Sequence, residues 1–179
     1  MLKKAHENRR DVTHTKTQNN KLKMTMKNHR KIEKMNTMEK RMTENELIQF
    51  IQKLEKNTLA ENIGIVITKA SKEKIEGKMP VDGRTKQPLG TLHGGASVAF
   101  AETLGSIAGT INVNYPEEFV VGVEINANHI KSAKSGWVYG VAEPSHIGKR
   151  THVWDIRITN DQDQLVCVSR MTLAVMKSS

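Results

Sequence analysis

Residues 91–109 read TLHGGASVAFAETLGSIAG, and from Gly94 to Val113 the only ionisable side chain is that of Glu102. The other residues are small or apolar, with a few hydroxyls, and predict a helix from about Gly94 to Asn112 that is apolar on every face. A helix of that kind is buried. A carboxylate on a buried helix is costly unless it is paired, neutral or used in chemistry. Glu102 is therefore the first candidate functional residue.

The positive charge of the chain is concentrated near its N-terminus. The 179 residues carry a formal net charge of +9. Residues 1–42 hold 13 Lys and Arg against 4 Asp and Glu, whereas residues 43–179 hold 15 of each. A neutral body lacks the clustered cations that phosphate contacts need, so we expect no nucleic acid partner for the folded part.

Residues 1–42 differ in composition from the rest of the chain. They are rich in Lys, Asn, Thr and Met and have four aliphatic side chains larger than Ala. Such a segment cannot bury enough apolar surface to offset its ordering entropy. We expect a disordered or weakly helical extension without a function of its own, or an upstream segment that precedes a true start at Met35, Met38 or Met42. A basic arm for nucleic acid or an anionic membrane would need aromatic or apolar side chains that are missing here.

The only cysteine, Cys167, excludes an internal disulfide and favours a reducing compartment. No apolar run is long enough to span a bilayer, and no apolar core follows the basic N-terminus as it would in a secretory signal. We expect a cytoplasmic protein without a membrane partner.

Residues 43–179 predict one α+β domain. Thr43 and Glu46 form a capping box that begins a helix ending near Lys56. Alternation and turn residues predict strands at 63–67, 74–79, 119–130, 136–142, 151–159 and 164–176. Because tight turns join the later strands, we expect the last four to form an antiparallel meander whose sheet wraps the central helix.

The helix carries the elements of a hydrolytic site. Its first N–H groups, at Gly94 and Gly95, have no intrahelical partner and can stabilise an oxyanion. Glu102 and Ser106 share a helix face. Glu102 nevertheless lies eight residues beyond Gly94, ~12 Å along the axis. An irregular first turn, the reach of the glutamate or a bridging water must close that gap.

Two further stretches, MPVDGRTKQPLG at 79–90 and GVEINANH at 122–129, flank the helix. With it they resemble the hotdog-fold acyl-CoA thioesterases over about residues 44–176. The likeness is greatest to the branch containing 1,4-dihydroxy-2-naphthoyl-CoA thioesterase of menaquinone biosynthesis and the enterobactin-pathway proofreading thioesterase. It implies an antiparallel sheet wrapped around one long helix, and hydrolysis of an acyl-CoA, an aromatic one being favoured. No cofactor is implied, since CoA is part of the substrate.

The resemblance also implies roles for individual residues. Glu102 would be nucleophile or general base, and the Gly94 N–H would polarise the thioester carbonyl. Gln87 and His93 would assist in positioning or leaving-group steps, and Ser106 would orient the glutamate or a water. The CoA channel would be lined by Gly122, His129, Ile130, Lys131, Ser132, His146, Ile147, Gly148, Lys149, Arg150 and Thr151. A homodimer would form the active sites at its interface, and two dimers would pair into a tetramer.

Other interpretations of these residues remain open. Glu102 could be a structural carboxylate paired across an interface, and His93 could simply cap the helix. The cationic turn at 148–150 suits a phosphate but is also typical of a solvated hairpin. The seven histidines lack the spacing of a metal site, and no Gly-Xaa-Ser-Xaa-Gly motif indicates a serine nucleophile.

Two other functions would use the same fold. An acyl-CoA sensor would combine a hotdog module with the basic N-terminal arm, but 42 residues with so few apolar side chains cannot form a helix-turn-helix core. A hydratase or dehydratase would need a His and an acidic residue in a loop motif that is absent.

Overall fold

The computed structural model describes residues 42–178. Three helices and six strands make up this part of the chain. The helices are α1 (Glu44–Leu54), α2 (Leu59–Asn62) and α3 (Gly94–Thr110), and the strands are β1 (Val66–Ala70), β2 (Ile75–Pro80), β3 (Glu118–His129), β4 (Trp137–Ile147), β5 (Thr151–Asn160) and β6 (Leu165–Lys177). The extension predicted over residues 1–42 lies outside the described residues, apart from Met42.

The six strands form one antiparallel sheet in the order β1-β2-β4-β5-β6-β3. Helix α3 lies across one face of this sheet and contacts β2 through β6. The predicted α+β architecture, an antiparallel sheet wrapped around one long helix, is confirmed.

Glycines on both elements let α3 approach the sheet closely. Phe100 and Leu104 are fully buried and fill the space above Gly140, where a β-carbon would lie 2.5 Å from Leu104 Cδ1 and 2.8 Å from the Phe100 ring. The reverse arrangement occurs at Gly105 of the helix, which is contacted by the side chain of Met171 from β6. The Met171 sulfur would lie 2.8 Å from a β-carbon at position 105. Large side chains opposite glycines thus interdigitate across the helix–sheet contact.

The capping box that begins α1 is confirmed. The Thr43 side chain accepts a hydrogen bond from the Glu46 N–H, and the Glu46 carboxylate accepts one from the Thr43 N–H at 2.8 Å. The helix ends at Leu54, slightly before the predicted end near Lys56.

The predicted strand at 63–67 is wrong in its position. Residues 59–62 form α2, and Gly64 adopts a positive φ of 77° in the turn that follows, so the strand begins only at Val66. Ile63 and Ile65 are apolar because they pack against the core from this turn.

The four-strand meander is also corrected. β4, β5 and β6 are joined by turns as predicted, but β3 pairs with β6 and not with its sequence neighbour β4. β4 pairs instead with β2 and extends to Ile147, beyond the predicted end at Ala142, by way of a bulge between Pro144 and His146. β3 therefore forms an edge of the sheet and β4 an interior strand.

Candidate active site

The N-terminus of α3 presents a free backbone donor. His93 is the N-cap, and its Nδ1 accepts a hydrogen bond from the Gly95 N–H at 2.8 Å. His93 therefore caps the helix, which was one of the two interpretations of this residue. In the neutral ring, an Nδ1 that accepts a hydrogen bond leaves the proton on Nε2. Among the described residues the Gly94 N–H has no hydrogen-bond partner. It lies at the positive end of the helix dipole, where a developing oxyanion would be stabilised.

A hairpin-like loop brings Gln87 to this helix end. The Gln87 N–H donates to the Thr91 carbonyl at 2.9 Å, and the Gly90 N–H donates back to the Gln87 carbonyl at 2.9 Å. Thr85 fixes the base of the loop: its buried hydroxyl donates to the Pro80 carbonyl at 2.6 Å, and its own carbonyl accepts from the N–H of the helix-capping histidine at 2.8 Å.

These elements and the end of β3 line an open pocket of about 250 Å³. Six of the predicted site residues line it: Gln87, Gly94, His129, Ile130, Lys131 and Ser132. Gly94 leaves little room beside His129, because a β-carbon at position 94 would lie 2.8 Å from the imidazole Nε2. The structure thus brings together the predicted oxyanion donor, the glutamine and four of the eleven predicted CoA-channel residues.

Glu102 lies elsewhere on the helix, and its side chain is exposed in the single chain. This corrects the expectation that the helix is buried all round. Its carboxylate extends over β3, where a β-carbon at Gly122 would lie 3.6 Å from Glu102 Oε1 and 3.5 Å from Met171 Cε. Among the described residues this carboxylate has no ion-pair or hydrogen-bond partner.

Ser106 lies one turn beyond Glu102 and is half-buried. Its carbonyl accepts a hydrogen bond from the Thr110 hydroxyl at 2.8 Å, while its own hydroxyl has no partner within residues 42–178. The hydroxyl is therefore available on the same helix face as the carboxylate.

One chain does not bring Glu102 and the Gly94 pocket together. Helix α3 is regular from Gly94 onward, so no irregular first turn shortens the ~12 Å between the two residues. Gly122 and His129 are also separated by roughly 20 Å along β3 at about 3.3 Å per residue. An irregular first turn therefore does not close the gap, whereas closing it by the reach of the glutamate or by a bridging water stays a prediction.

The other seven residues of the predicted CoA channel are Gly122 and the His146–Thr151 stretch, which lies near it. The His146–Thr151 stretch joins β4 to β5, with Lys149 and Arg150 exposed. Strand register places Thr151 opposite Ala174, which in turn lies opposite Val121 of β3. The turn is therefore at the Glu102 end of β3, and the predicted channel residues fall into two separate groups within one chain.

Sequence reasoning missed three side chains around these sites. Thr91 bonds the Gln87 amide, Met171 lies with Glu102 beside Gly122, and His152 lies buried beside the cationic turn. Burial lowers the pKa of His152. Thr91 had a detectable signal, since Pro88 and Gly90 predict a turn that places Gln87 and Thr91 opposite each other.

Within residues 42–178 no three His, Cys, Asp or Glu side chains are arranged to hold a metal ion. No described helix has the length and hydropathy needed to cross a membrane.

Comparisons with known proteins define the family. Residues 89–167 match the thioesterase superfamily model. The 1,4-dihydroxy-2-naphthoyl-CoA hydrolase of Escherichia coli is 52% identical over 104 residues, which are 58% of this chain and 76% of the relative. The proofreading thioesterase EntH of Cronobacter sakazakii is 44% identical over 119 residues, 66% of this chain and 86% of the relative.

A solved structure of a mutant thioesterase from Pseudomonas aeruginosa matches with a TM-score of 0.72 and 41% identity. The match covers 73% of this chain and 94% of that one. The chain belongs to the thioesterase superfamily and has its hotdog fold. It is a thioester hydrolase, so the predicted fold class and enzyme class are both confirmed.

Proposed function

We propose that this protein hydrolyses an acyl-CoA, with an aromatic substrate such as 1,4-dihydroxy-2-naphthoyl-CoA favoured, to the free acid and CoA. The observation that carries the proposal is the unpartnered Gly94 N–H in a pocket shared with Gln87 and His129. The name of the Escherichia coli relative supports the aromatic acyl group. The resemblance described from the sequence supports a place in menaquinone biosynthesis. No cofactor is needed, because CoA arrives as part of the substrate.

The chemistry begins with the thioester carbonyl oxygen at the Gly94 N–H. Negative charge develops on that oxygen when the carbonyl carbon is attacked, and the helix N-terminus stabilises it. In one route Glu102 takes a proton from water and the resulting hydroxide attacks the carbon. In the other route the carboxylate itself attacks and forms an anhydride that water then cleaves. In the first route the C–S bond then breaks and CoA thiolate leaves together with the free acid. In the second route the thiolate leaves as the anhydride forms, and hydrolysis of the anhydride releases the acid and restores the Glu102 carboxylate.

Neighbouring side chains would assist these steps. Ser106 is placed to orient the carboxylate or the water, since it follows Glu102 by one helical turn. His93 presents a protonated Nε2 while its Nδ1 is engaged by the Gly95 N–H, which suits donation to the substrate or the leaving group. Gln87 would position the thioester from the opposite wall of the pocket.

The active site would be completed by a second copy of the chain. β3 is an edge strand of twelve residues, and Val121 and Val123 on it are exposed. A long unpaired edge with apolar side chains is a surface on which another strand pairs. Two β3 strands paired about a two-fold axis run antiparallel, so residues near Gly122 of one copy would lie beside those near His129 of the other.

This antiparallel pairing of the two β3 strands would bring Glu102 of one copy to the Gly94 pocket of its partner. It would also bring the Lys149 and Arg150 turn near the His129–Ser132 stretch, uniting the two groups of CoA-binding residues. The cationic side chains could then bind CoA phosphates. We propose a dimer of this kind, alone or paired into a tetramer, acting in the cytoplasm.

The test is release of CoA from naphthoyl, benzoyl and fatty acyl-CoAs by the wild type and by Glu102→Gln. We expect turnover of the aryl substrates by the wild type and its loss in the variant, which has a similar shape but cannot act as base or nucleophile. Near-wild-type turnover by the variant would reject the assignment of Glu102. Tight binding of acyl-CoA without any turnover by the wild type would favour the sensor function.

A further inference from the structure

The amide of Gln87 is held by one specific contact. Its Nε2 donates a hydrogen bond to Thr91 Oγ1 at 2.9 Å. A glutamine side chain has three rotatable bonds, and fixing them costs up to about 2 kcal/mol of conformational entropy. Without a partner the amide would therefore sample several orientations at the pocket wall.

Little else near the tip of the loop fixes this side chain. Pro88 is exposed, and Leu89 is 83% exposed. The loop is held by one backbone hydrogen bond from Gln87 to Thr91, by another from Gly90 to Gln87, and by the bridge between Lys86 and Leu92. These bonds set the positions of the Cα atoms but leave the end of the Gln87 side chain to its own contacts.

Thr91 is suited to hold the amide. Its β-branched side chain has a restricted χ1, so its hydroxyl occupies a defined place across the turn. The hydroxyl accepts one N–H of Gln87, which leaves the second N–H and the carbonyl oxygen of the amide for a ligand. Both residues line the pocket that contains Gly94.

We propose that Thr91 is a positioning residue, which holds the Gln87 amide in the orientation needed by the thioester. This inference rests on the proposed function, because it assigns Gln87 to the reacting end of the substrate. Thr91 touches no reacting atom and acts through the glutamine.

The experiment combines kinetics with a double-mutant cycle on the full chain. Thr91→Val removes the hydroxyl at nearly constant shape, and we expect it to lower kcat/KM for an aryl acyl-CoA about fivefold, the worth of one neutral hydrogen bond. Thr91→Ser keeps the hydroxyl and should retain most of the activity. In a Gln87→Ala background, Thr91→Val should have no further effect, because the group it positions is gone. Thr68→Val, at an exposed position of β1, is the matched control and should leave kcat/KM unchanged.

A second measurement does not depend on activity. The side-chain amide of Gln87 gives NMR signals that can be assigned by their loss in Gln87→Ala. We expect these signals to shift toward those of a free glutamine in Thr91→Val and to stay in place in Thr91→Ser. The positioning role would be overturned if the signals did not move, or if Thr91→Val cost as much activity without Gln87 as with it. Absence of any wild-type turnover would instead reject the proposed function, and the NMR result would still decide the role of Thr91.

Discussion

Gly94 and His129 meet where the N-terminus of α3 faces the end of β3, and a β-carbon at position 94 would lie 2.8 Å from the imidazole Nε2. The missing side chain leaves the pocket open at the free N–H. Gly94→Ala should push the ring aside and narrow the approach to that donor. Because His129 is exposed, its ring can move outward, so the free energy of unfolding should change little.

We expect Gly94→Ala to lower kcat/KM by about 10- to 100-fold, as small displacements of reacting groups do. Steady-state CoA release and thermal unfolding measure the two effects separately. Gly83→Ala is the control, since no atom lies within 4 Å of a β-carbon there. A Gly94→Ala enzyme with wild-type kinetics would show that close approach to this N–H is not required.

Two glycines that face α3 from the sheet should respond differently to alanine. At Gly140 the new methyl would overlap Phe100 and Leu104, which are fully buried and cannot move away. Overpacking of this kind costs about 1–3 kcal/mol in the free energy of unfolding. At Gly122 the same methyl would make ordinary contacts of 3.5 and 3.6 Å, and we expect a change within about 0.5 kcal/mol. Urea unfolding of the two variants checks the difference, and equal stabilities would contradict the close packing around Gly140.

His152 should make the stability of the protein depend on pH. It is 2% exposed on the core side of β5, and its Nδ1 has no hydrogen-bond partner among the described residues. Burial lowers the pKa of His152, an effect that the Gly148 backbone and Glu118 oppose and His146 reinforces. Because the unfolded chain then binds the proton first as the pH falls, the contribution of His152 is complete above about pH 6.5 and is lost progressively below it.

His152→Gln removes this titration at similar side-chain size. We expect the wild type to lose more Tm than the variant between about pH 8 and pH 5.5, since only the wild type must keep a neutral imidazole in its core. His129→Gln, at an exposed position of β3, is the control and should follow the wild type. Parallel pH profiles for the wild type and His152→Gln would contradict the assignment.

The sequence predicts those elements whose signal is local. The apolar run from Gly94 to Val113, with Glu102 as its only ionisable residue, predicts α3. The Thr43–Glu46 pair predicts the start of α1. The position of β3 at the sheet edge could not be predicted in this way, because its pairing with β6 joins residues about fifty positions apart and leaves no short-range pattern.

The prediction that Glu102 is buried is wrong for a different reason. Apolar neighbours in the sequence predict that Glu102 is buried, but they do not tell whether the same chain or a second copy buries it. The side chain is exposed in one chain while the apolar residues on the other faces of α3, such as Phe100 and Ala101, are buried against the sheet. Gln87, Gly94 and the 129–132 stretch were named from the sequence and line one pocket, whereas Thr91 was missed. The distance from this pocket to Glu102 could be judged only once α3 proved regular.

A site divided between two chains makes complementation the sharpest prediction. Gln87→Ala damages the pocket side of each site, and Glu102→Gln damages the carboxylate side. In a mixed dimer, the Glu102→Gln chain would supply an intact Gln87 pocket and the Gln87→Ala chain would supply an intact Glu102. One of the two sites is then complete, so mixed dimers isolated with two different tags should recover about half of the wild-type rate. Glu102→Gln purified alone, and its doubly tagged homodimer, should stay inactive, and Gln87→Ala alone should keep only a small, measurable fraction of the wild-type rate. If the mixed dimers are as inactive as the single variants, or if light scattering finds a fully active monomer, Gln87 and Glu102 act within one chain and the proposed two-chain site is wrong.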